Sequence, residues 1–229
     1  MVRAEVVALP EAAVDCLAVT PPRLSLYGAY VTVEPLDPVR HSDDLWSGLG
    51  GMANAELWRH MRSGPFPERA SFDEYVRAKA RSRDPLYFAL VDRASGRTGG
   101  HAAYMRITPA ERVIEVGAII YVAAFQKTRA ATEAMYLMAR QAFEDLGYRR
   151  CEWKCNVLNE ASQRAALRLG FAFEGVFRQH MTVKGRSRDT AWFAMLDSDW
   201  PQRKREFERW LAPQNFDDAG RQISRLSHV

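Results

Sequence analysis

The chain has 229 residues, which against roughly 150 per domain makes one large domain with extensions and excludes a second catalytic module. Thirty-two Lys and Arg against 28 Asp and Glu leave a net charge of +4, and 47% hydrophobic with 26% charged residues excludes disorder, collagen and coiled coil, while a pI of about 9.1 is too mild to imply nucleic acid. The longest apolar run, residues 117–125, is far short of the ~20 residues of a membrane span, no signal layout opens the chain, and three cysteines (Cys16, Cys151, Cys155) suit a reducing compartment, so the sequence reads as cytoplasmic.

Residues 1–22 carry Leu9-Pro10 and Pro21-Pro22 without a sustained period and read as an N-terminal arm; the domain begins near Arg23. Leu24, Leu26, Tyr30, Val31 and Val33 around Gly28 predict a strand pair or one bent strand. Asp37-Pro38 then opens a helical region of three short amphipathic stretches, 43–49, 55–61 and 72–81, the last with a capping box from Ser71 to Glu74. Residues 86–91, a turn at 94–96 and residues 99–107 predict a hairpin, which 113–122 extends into a meander. Residues 128–146 place Met135, Met138, Ala142 and Leu146 at spacings of three and four and stop at Gly147, the pattern of an amphipathic helix. A strand at 150–155, a helix at 160–169 ended by Gly170, and strands at 171–183 and 189–196 turned by Lys184-Gly185-Arg186 follow. Residues 200–211 predict a terminal helix and the remainder a surface tail, so that 23–200 is the domain and 201–229 its C-terminal appendage.

The most informative stretch is the passage from strand 113–122 through Ala123-Ala124-Phe125-Gln126-Lys127-Thr128 into the helix. A loop feeding a helix N-terminus offers unpaired backbone N–H groups and the positive end of the helix dipole, which suits a phosphate, and Lys127 and Arg129 add charge there. A plain connection with solvated basic residues explains the same pattern.

These residues resemble the GNAT superfamily of acyl-CoA-dependent N-acetyltransferases, in particular its RimJ/RimL-like branch. The family's pyrophosphate loop, Gln/Arg-x-x-Gly-x-Gly/Ala, is matched by Gln126 and Ala131, with Arg129 where glycine is usual, and Ala131-Thr132-Glu133-Ala134 is typical of the branch. Asn159-Glu160-Ala161-Ser162 and Leu169-Gly170-Phe171 are similar to the family's Asn-x-x-Ser helix and its exit into the next strand. The resemblance spans about Arg23 to Trp200. It implies an α/β GNAT fold, a mixed and mostly antiparallel twisted sheet with flanking helices, whose fourth strand (113–122) splays from the fifth (150–155) to hold acetyl-CoA. Gln126, Lys127, Thr128, Arg129, Ala130, Ala131 and Thr132 would then bind the cofactor's phosphates, with Arg129 swung outward onto one of them because a side chain cannot lie beneath a closely approaching pyrophosphate as glycine can. The backbone of Ile120, Tyr121 and Val122 would face the reacting carbonyl, and Asn159 and Ser162 would contact the pantetheine arm.

Acetyl transfer needs a base for the amine proton, and Glu115, inside an apolar strand where burial raises a carboxyl pKa, is the candidate; pairing with Arg106 is the structural alternative. The family's usual tyrosine proton donor falls at Ala166, so Ser162 is the substitute, unless it is only a helix-start serine. Trp46 and Trp58 in the early helices, and His101 and Tyr104 beside Glu115, are candidates for the acceptor pocket, with ordinary packing as the alternative.

Cys151 and Cys155 share a strand face without a second pair at ligand spacing, and the five histidines are scattered, so no metal is expected. Charges at Arg149, Arg150, Glu152 and Lys154 read as strand-edge charges, and the basic hairpin around Arg178, Lys184, Arg186 and Arg188 as a solvated tip. The expected reaction is direct acetyl transfer from acetyl-CoA to a primary amine, a small molecule or amino acid before a protein N-terminus. A non-catalytic acyl-CoA-binding or sensor domain is the alternative. Exposed strand ends and the terminal helix make a homodimer the expected assembly.

Overall fold

A computed structural model describes residues 17–226. Eight strands form one sheet in the order β1-β2-β3-β4-β5-β6-β8-β7: Leu26–Tyr27, Val31–Pro35, Leu86–Asp92, Thr98–Thr108, Val113–Tyr121, Arg150–Asn156, Ala172–Val183 and Arg186–Leu196 for β1 to β8. All neighbours are antiparallel except β5 and β6. Alternation of side chains along β3 divides the core in two. Leu86, Phe88 and Leu90 face α3 (Arg129–Arg140) and α5 (Trp200–Leu211), whereas Tyr87 and Ala89 face α1 (Pro38–Leu49) and α2 (Arg69–Arg81). Among the described residues no helix is long and apolar enough to cross a membrane.

The parallel pair is short. Val113, Ile114 and Glu115 register against Arg150, Cys151 and Glu152, and beyond them the strands part. Two bulges explain where. Ala103 pairs with Gly117 and His101 with Ile120, so β5 carries one extra residue at Ala118, which takes φ 49°. Met105 pairs with Glu115 and Thr108 with Val113, so β4 carries its own extra residue beside Arg106, also at φ 49°. A bulge bends and over-twists its strand, and Glu115 lies between the two. The splay expected between the fourth and fifth strands is therefore the opening between β5 and β6, the count having moved because 24–36 is two strands.

Helix α3 begins as predicted, with Thr128 as its N-cap accepting from Ala131 N at 3.1 Å. Its last turn, Gln141–Asp145, is wider than an α turn, and the chain leaves through Gly147 at φ 73°. The helix is fastened to the β1–β2 turn by Glu133, whose carboxylate accepts from the backbone N–H groups of Ala29, Tyr30 and Val31 at 2.8, 2.6 and 2.9 Å. Gly28 is glycine for that reason: a Cβ there would fall 2.3 Å from Glu133 Oε2.

Several expectations are corrected. Helix α2 starts at Arg69, and Ser71 donates its hydroxyl to Glu68 O at 2.8 Å inside the first turn, so there is no Ser71–Glu74 box. The stretch predicted as a helix at 55–61 is a 3₁₀ segment, Met52–Trp58. Strand β6 is central, not an edge: it pairs along its length with β8. The tail is anchored at its ends: residues 218–225 are exposed, but Leu226 is buried in the main core and Phe216 packs edge-on to Trp210 at 5.1 Å. Most of the arm, with Cys16, lies outside the described residues, whereas Ala18 N and Val19 N bond to Pro109 O and Leu146 O.

Candidate active site

The parting of β5 and β6 opens a cavity of about 370 Å³, within the range of small-molecule sites. It reaches through the sheet. On the α1/α2 face it is lined by Tyr75, Lys79, Tyr87, Met105, Arg106, Glu115 and Lys154; on the α3 face by Trp153, Cys155, Asn159 and Ser162. Glu115 and Ser162, expected to work together, thus approach one space from opposite faces.

Glu115 is 3% exposed. Its Oε2 accepts from Arg106 at 2.6 Å and forms an ion pair with Lys154 Nζ at 3.1 Å. Oε1 makes no hydrogen bond among the described residues and lies beside Gly117, 3.0 Å from where a Cβ would stand. The Arg106 pair weighed as an alternative is therefore present, and Lys154 is a second cation that sequence reasoning took for an edge charge. Lys154 also reaches Glu152 at 2.5 Å and lies over the Trp192 ring at 3.7 Å, its side chain 4% exposed. The local pattern gave no signal of this: Arg150, Glu152 and Lys154 alternate with Cys151, Trp153 and Cys155, the period of a strand with one solvated face, and it is the pairing with β5 and β8 that encloses the charged face. Burial pushes the Glu152 carboxyl up, but hydrogen bonds from Lys154 and Arg150 outweigh it and hold the group below the usual carboxylate range.

Asn159 is the N-cap of α4 (Glu160–Arg168) and accepts from Ser162 N at 3.1 Å. Ser162 Oγ accepts from Trp153 Nε1 at 3.0 Å, which fixes the hydroxyl at the cavity wall. Burial pushes the Cys155 thiol up, partly opposed by the Ser162 hydroxyl beside it. Ala166, in the position where the resemblance places a tyrosine, is fully buried.

The expected backbone donors shift along the strand. Val122 N donates to Gly99 O at 2.9 Å, and the part of β5 that lines the cavity is Glu115 to Ile119, three residues short of Val122; Ile120, Tyr121 and Val122 do not line it. The bulge at Ala118 is the cause. Gly117, Ala118 and Ile119, at and beside it, line the opening.

None of the four expected acceptor residues lines the cavity. Trp58 is fully buried among Phe66, Phe72 and Tyr75, with Nε1 donating to Leu49 O at 2.7 Å. Trp46 packs on Phe72 beneath Arg69. His101 and Tyr104 are three apart on β4, an odd spacing that sends them to opposite faces. Tyr104 donates to Met138 O at 2.6 Å in the α3 core, and His101 meets the Tyr75 hydroxyl at 3.0 Å, where burial pushes its imidazole down to about 4. The cavity is walled instead by His60, Met61, Arg62 and Ser63, by Tyr75 and Lys79 of α2, and by His180, Met181 and Arg188 of the β7–β8 hairpin. Lys184, at the tip of that hairpin, donates to Trp58 O at 2.8 Å and latches it over the early segment. The basic hairpin is thus a wall of the site and not only a solvated tip.

At the start of α3, Gln126 Nε2 reaches Tyr121 O at 3.4 Å, Lys127 takes φ 61°, and Thr132 Oγ1 accepts from Arg168 at 3.2 Å. Ala131 N is capped by Thr128, while the N–H groups of Lys127, Thr128, Arg129 and Ala130 have no partner among the described residues. Four such donors at a helix N-terminus fit a phosphate. Arg129 does turn away from the loop, but its guanidinium rests on Phe216 at 3.8 Å and Tyr30 at 5.0 Å, with a 3.3 Å hydrogen bond to the Tyr30 hydroxyl. Among the described residues no group of three or more His, Cys, Asp or Glu could hold a metal ion.

Comparison with known proteins agrees with this geometry. A family profile described as an acetyltransferase (GNAT) domain matches residues 35–172. The structure is similar to a GCN5-related N-acetyltransferase from Brucella melitensis, at 45% identity over 92% of this chain and 96% of that one, with a TM-score of 0.90. It is also similar to a protein described as a probable acetyltransferase of the GNAT family from Chromobacterium violaceum (36% identity, 85% and 96% covered, TM-score 0.77). A microcin C7 self-immunity acetyltransferase, solved with acetyl-CoA and AMP, shares the fold at 19% identity (77% and 98% covered, TM-score 0.62). No curated protein sequence matches the chain.

Proposed function

The chain belongs to the GNAT acetyltransferase family, and from that premise we propose that it moves an acetyl group from acetyl-CoA directly to the primary amine of a small molecule. The observation that carries this reading is the cavity through the β5–β6 splay, which brings Glu115 and Ser162 to one space from opposite sheet faces. Its size suits a small acceptor better than a peptide chain. The four unpartnered N–H groups from Lys127 to Ala130 fit the cofactor's diphosphate, with Gln126, Ala131 and Thr132 shaping the turn. The thioester supplies the activated acyl group.

The protein's own groups have three tasks. An amine of pKa about 8 to 10 arrives protonated, and Glu115 Oε1, the carboxylate oxygen left out of the ion pairs, takes that proton directly or through water. The backbone N–H groups at the Ala118 bulge stabilise charge on the carbonyl oxygen. Ser162, its Oγ fixed by Trp153, keeps its hydroxyl proton for the leaving thiolate. The RimJ/RimL-like branch is part of this reading on the strength of Ala131-Thr132-Glu133-Ala134.

The test is release of free CoA with a panel of primary amines. Glu115→Gln is expected to lower kcat by about 10² or more with acetyl-CoA affinity by calorimetry unchanged, and Ser162→Ala to lower kcat by about tenfold. Unaltered rates in both variants would remove these residues from the chemistry. A second reading, an acyl-CoA-binding domain without catalysis, is favoured by Ala166 in place of tyrosine; tight acetyl-CoA binding with no amine-dependent CoA release would establish it.

A further inference from the structure

Five cations line the cavity, Arg62, Lys79, Arg106, Lys154 and Arg188, against a single carboxylate, Glu115. Two of the five are accounted for. Arg106 and Lys154 hold Glu115, and Lys154 also holds Glu152. Arg62, Lys79 and Arg188 have no carboxylate within 4.0 Å among the described residues. Lys79 Nζ stands over the faces of Tyr75 and Tyr87, 5.2 and 5.3 Å from their centroids. Arg188 Nε is buried without a hydrogen-bond partner among the described residues, as is Nδ1 of its neighbour in the cavity wall, His180. The three come from separate elements: the segment before α2, α2 itself, and β8. A buried guanidinium N–H without an acceptor is costly to leave unmade, and cations converging from three elements repel one another unless an anion lies between them.

Building on the acetyl-transfer reading, we propose that Arg62, Lys79 and Arg188 form an anion subsite, and that the acceptor is an amine carrying a carboxylate or phosphate monoester on the same small molecule. The cationic wall disfavours a simple ammonium ion and welcomes a molecule whose negative end docks on it. That docking leaves the amine end for Glu115, with the surrounding positive charge favouring the neutral, nucleophilic amine. The neighbouring titrations agree: burial and then Arg62 lower Lys79, and burial followed by Arg106, Arg188 and Lys154 lowers His180. The cofactor's phosphates do not explain the cluster, because none of residues 126–132 lines this cavity.

Matched amines decide the matter: an ω-amino carboxylate, its carboxamide, the corresponding amino alcohol, and that alcohol's phosphate monoester. With acetyl-CoA saturating, kcat/KM is expected to be at least about tenfold higher for an anionic amine than for its neutral partner, and the better of the two anions names the group. Arg188→Gln and Lys79→Met should each raise KM for the anionic amines and shrink the preference, with CoA affinity reporting that the fold is intact. Equal or better use of the neutral partners, or a preference that survives both substitutions, overturns the proposal. Should no amine be acetylated, the failure is that of the transfer reading, and calorimetric titration of the same amines into CoA-saturated protein still decides the subsite. Saturable binding of an anionic amine, lost in Arg188→Gln, upholds it; no binding refutes it.

Discussion

Lys154→Met removes the cation between two buried carboxylates and keeps a side chain of similar length against Trp192. Glu115 and Glu152 face each other in register across the parallel pair, so without Lys154 two like charges are opposed on neighbouring strands. At an effective dielectric of ~20, the 2.5 and 3.1 Å contacts are each worth roughly 5–7 kcal/mol of attraction. Removing the ammonium also recovers its desolvation penalty of several kcal/mol, and each carboxylate keeps an arginine, at 2.6 and 2.8 Å. The net cost at pH 7 should be about 3 kcal/mol. Its pH dependence is the sharper signature. In the native protein Glu152 is held below its usual range, so its contribution is present above the unfolded pKa of ~4.3 and lost only as pH falls through the depressed value. In the variant the largest influence lowering it is gone, and burial together with Glu115 favours its protonated form. The destabilisation should therefore shrink by about 1 kcal/mol or more between pH 7 and pH 5. Urea unfolding of native and variant protein at both pH values measures this difference and cancels groups common to both. Lys154→Met/Glu152→Gln should recover much of the loss at pH 7. A cost below about 0.5 kcal/mol, or one independent of pH, would show that the lysine does not hold the pair.

Three further perturbations follow from particular contacts. His101, its imidazole pushed down to about 4 by burial, stays neutral in the folded protein while the unfolded chain protonates near ~6.5. Stability should thus fall by about 3 kcal/mol as pH drops from 6.5 to 4, and denaturant midpoints of His101→Gln should lack that limb; an unchanged slope would clear His101. Glu133→Ala strands the N–H groups of Ala29, Tyr30 and Val31 and should cost about 3 kcal/mol or more, read as a lower Tm and faster amide exchange at residues 28–31. Arg129→Ala should loosen the segment around Phe216 by about 1–2 kcal/mol, seen as faster exchange at residues 213–226, while acetyl-CoA affinity stays within about threefold if the backbone does the binding. A collapse of affinity would place the guanidinium on the cofactor.

Periodicity and turn chemistry made most elements legible. The hairpins, α3 with its Thr128 start, α4 with Asn159 at its cap and the terminal helix all follow from spacing and punctuation. The site was legible only where chemistry lies within one local segment. Glu115 and Ser162 reach the same cavity, yet its cationic wall did not emerge, because Arg62, Lys79 and Arg188 are brought together from three distant elements. His101 and Tyr104 show the converse error. Their strand lies beside that of Glu115, but their odd spacing sends them into the two separate cores, and neither lines the cavity. The backbone donors moved for a related reason, since the bulge at Ala118 depends on pairing with β4 and leaves no mark in the local pattern of β5.

Arg129, in the segment that matches the family's pyrophosphate loop, shows how a departure from a family pattern is accommodated. Glycine can serve such a loop in two ways, by adopting positive φ or by having no side chain in the approach of a ligand. Only the second applies at position 129, because the residue opens α3 with helical geometry and the positive φ falls on Lys127. A side chain is then tolerable if something holds it aside. Tyr30 and Phe216 do so from opposite ends of the chain, and Tyr30 is itself fixed, its N–H bonded to Glu133 of the same helix and its hydroxyl to Leu211 O. The C-terminal segment therefore holds the Arg129 side chain through Phe216. It follows that Phe216→Ala should disturb cofactor affinity more than Arg129→Ala, since the first releases a long cation over the loop and the second removes it. The opposite order, measured by calorimetry with acetyl-CoA, would mean that the guanidinium binds and that the aromatic rings merely store it.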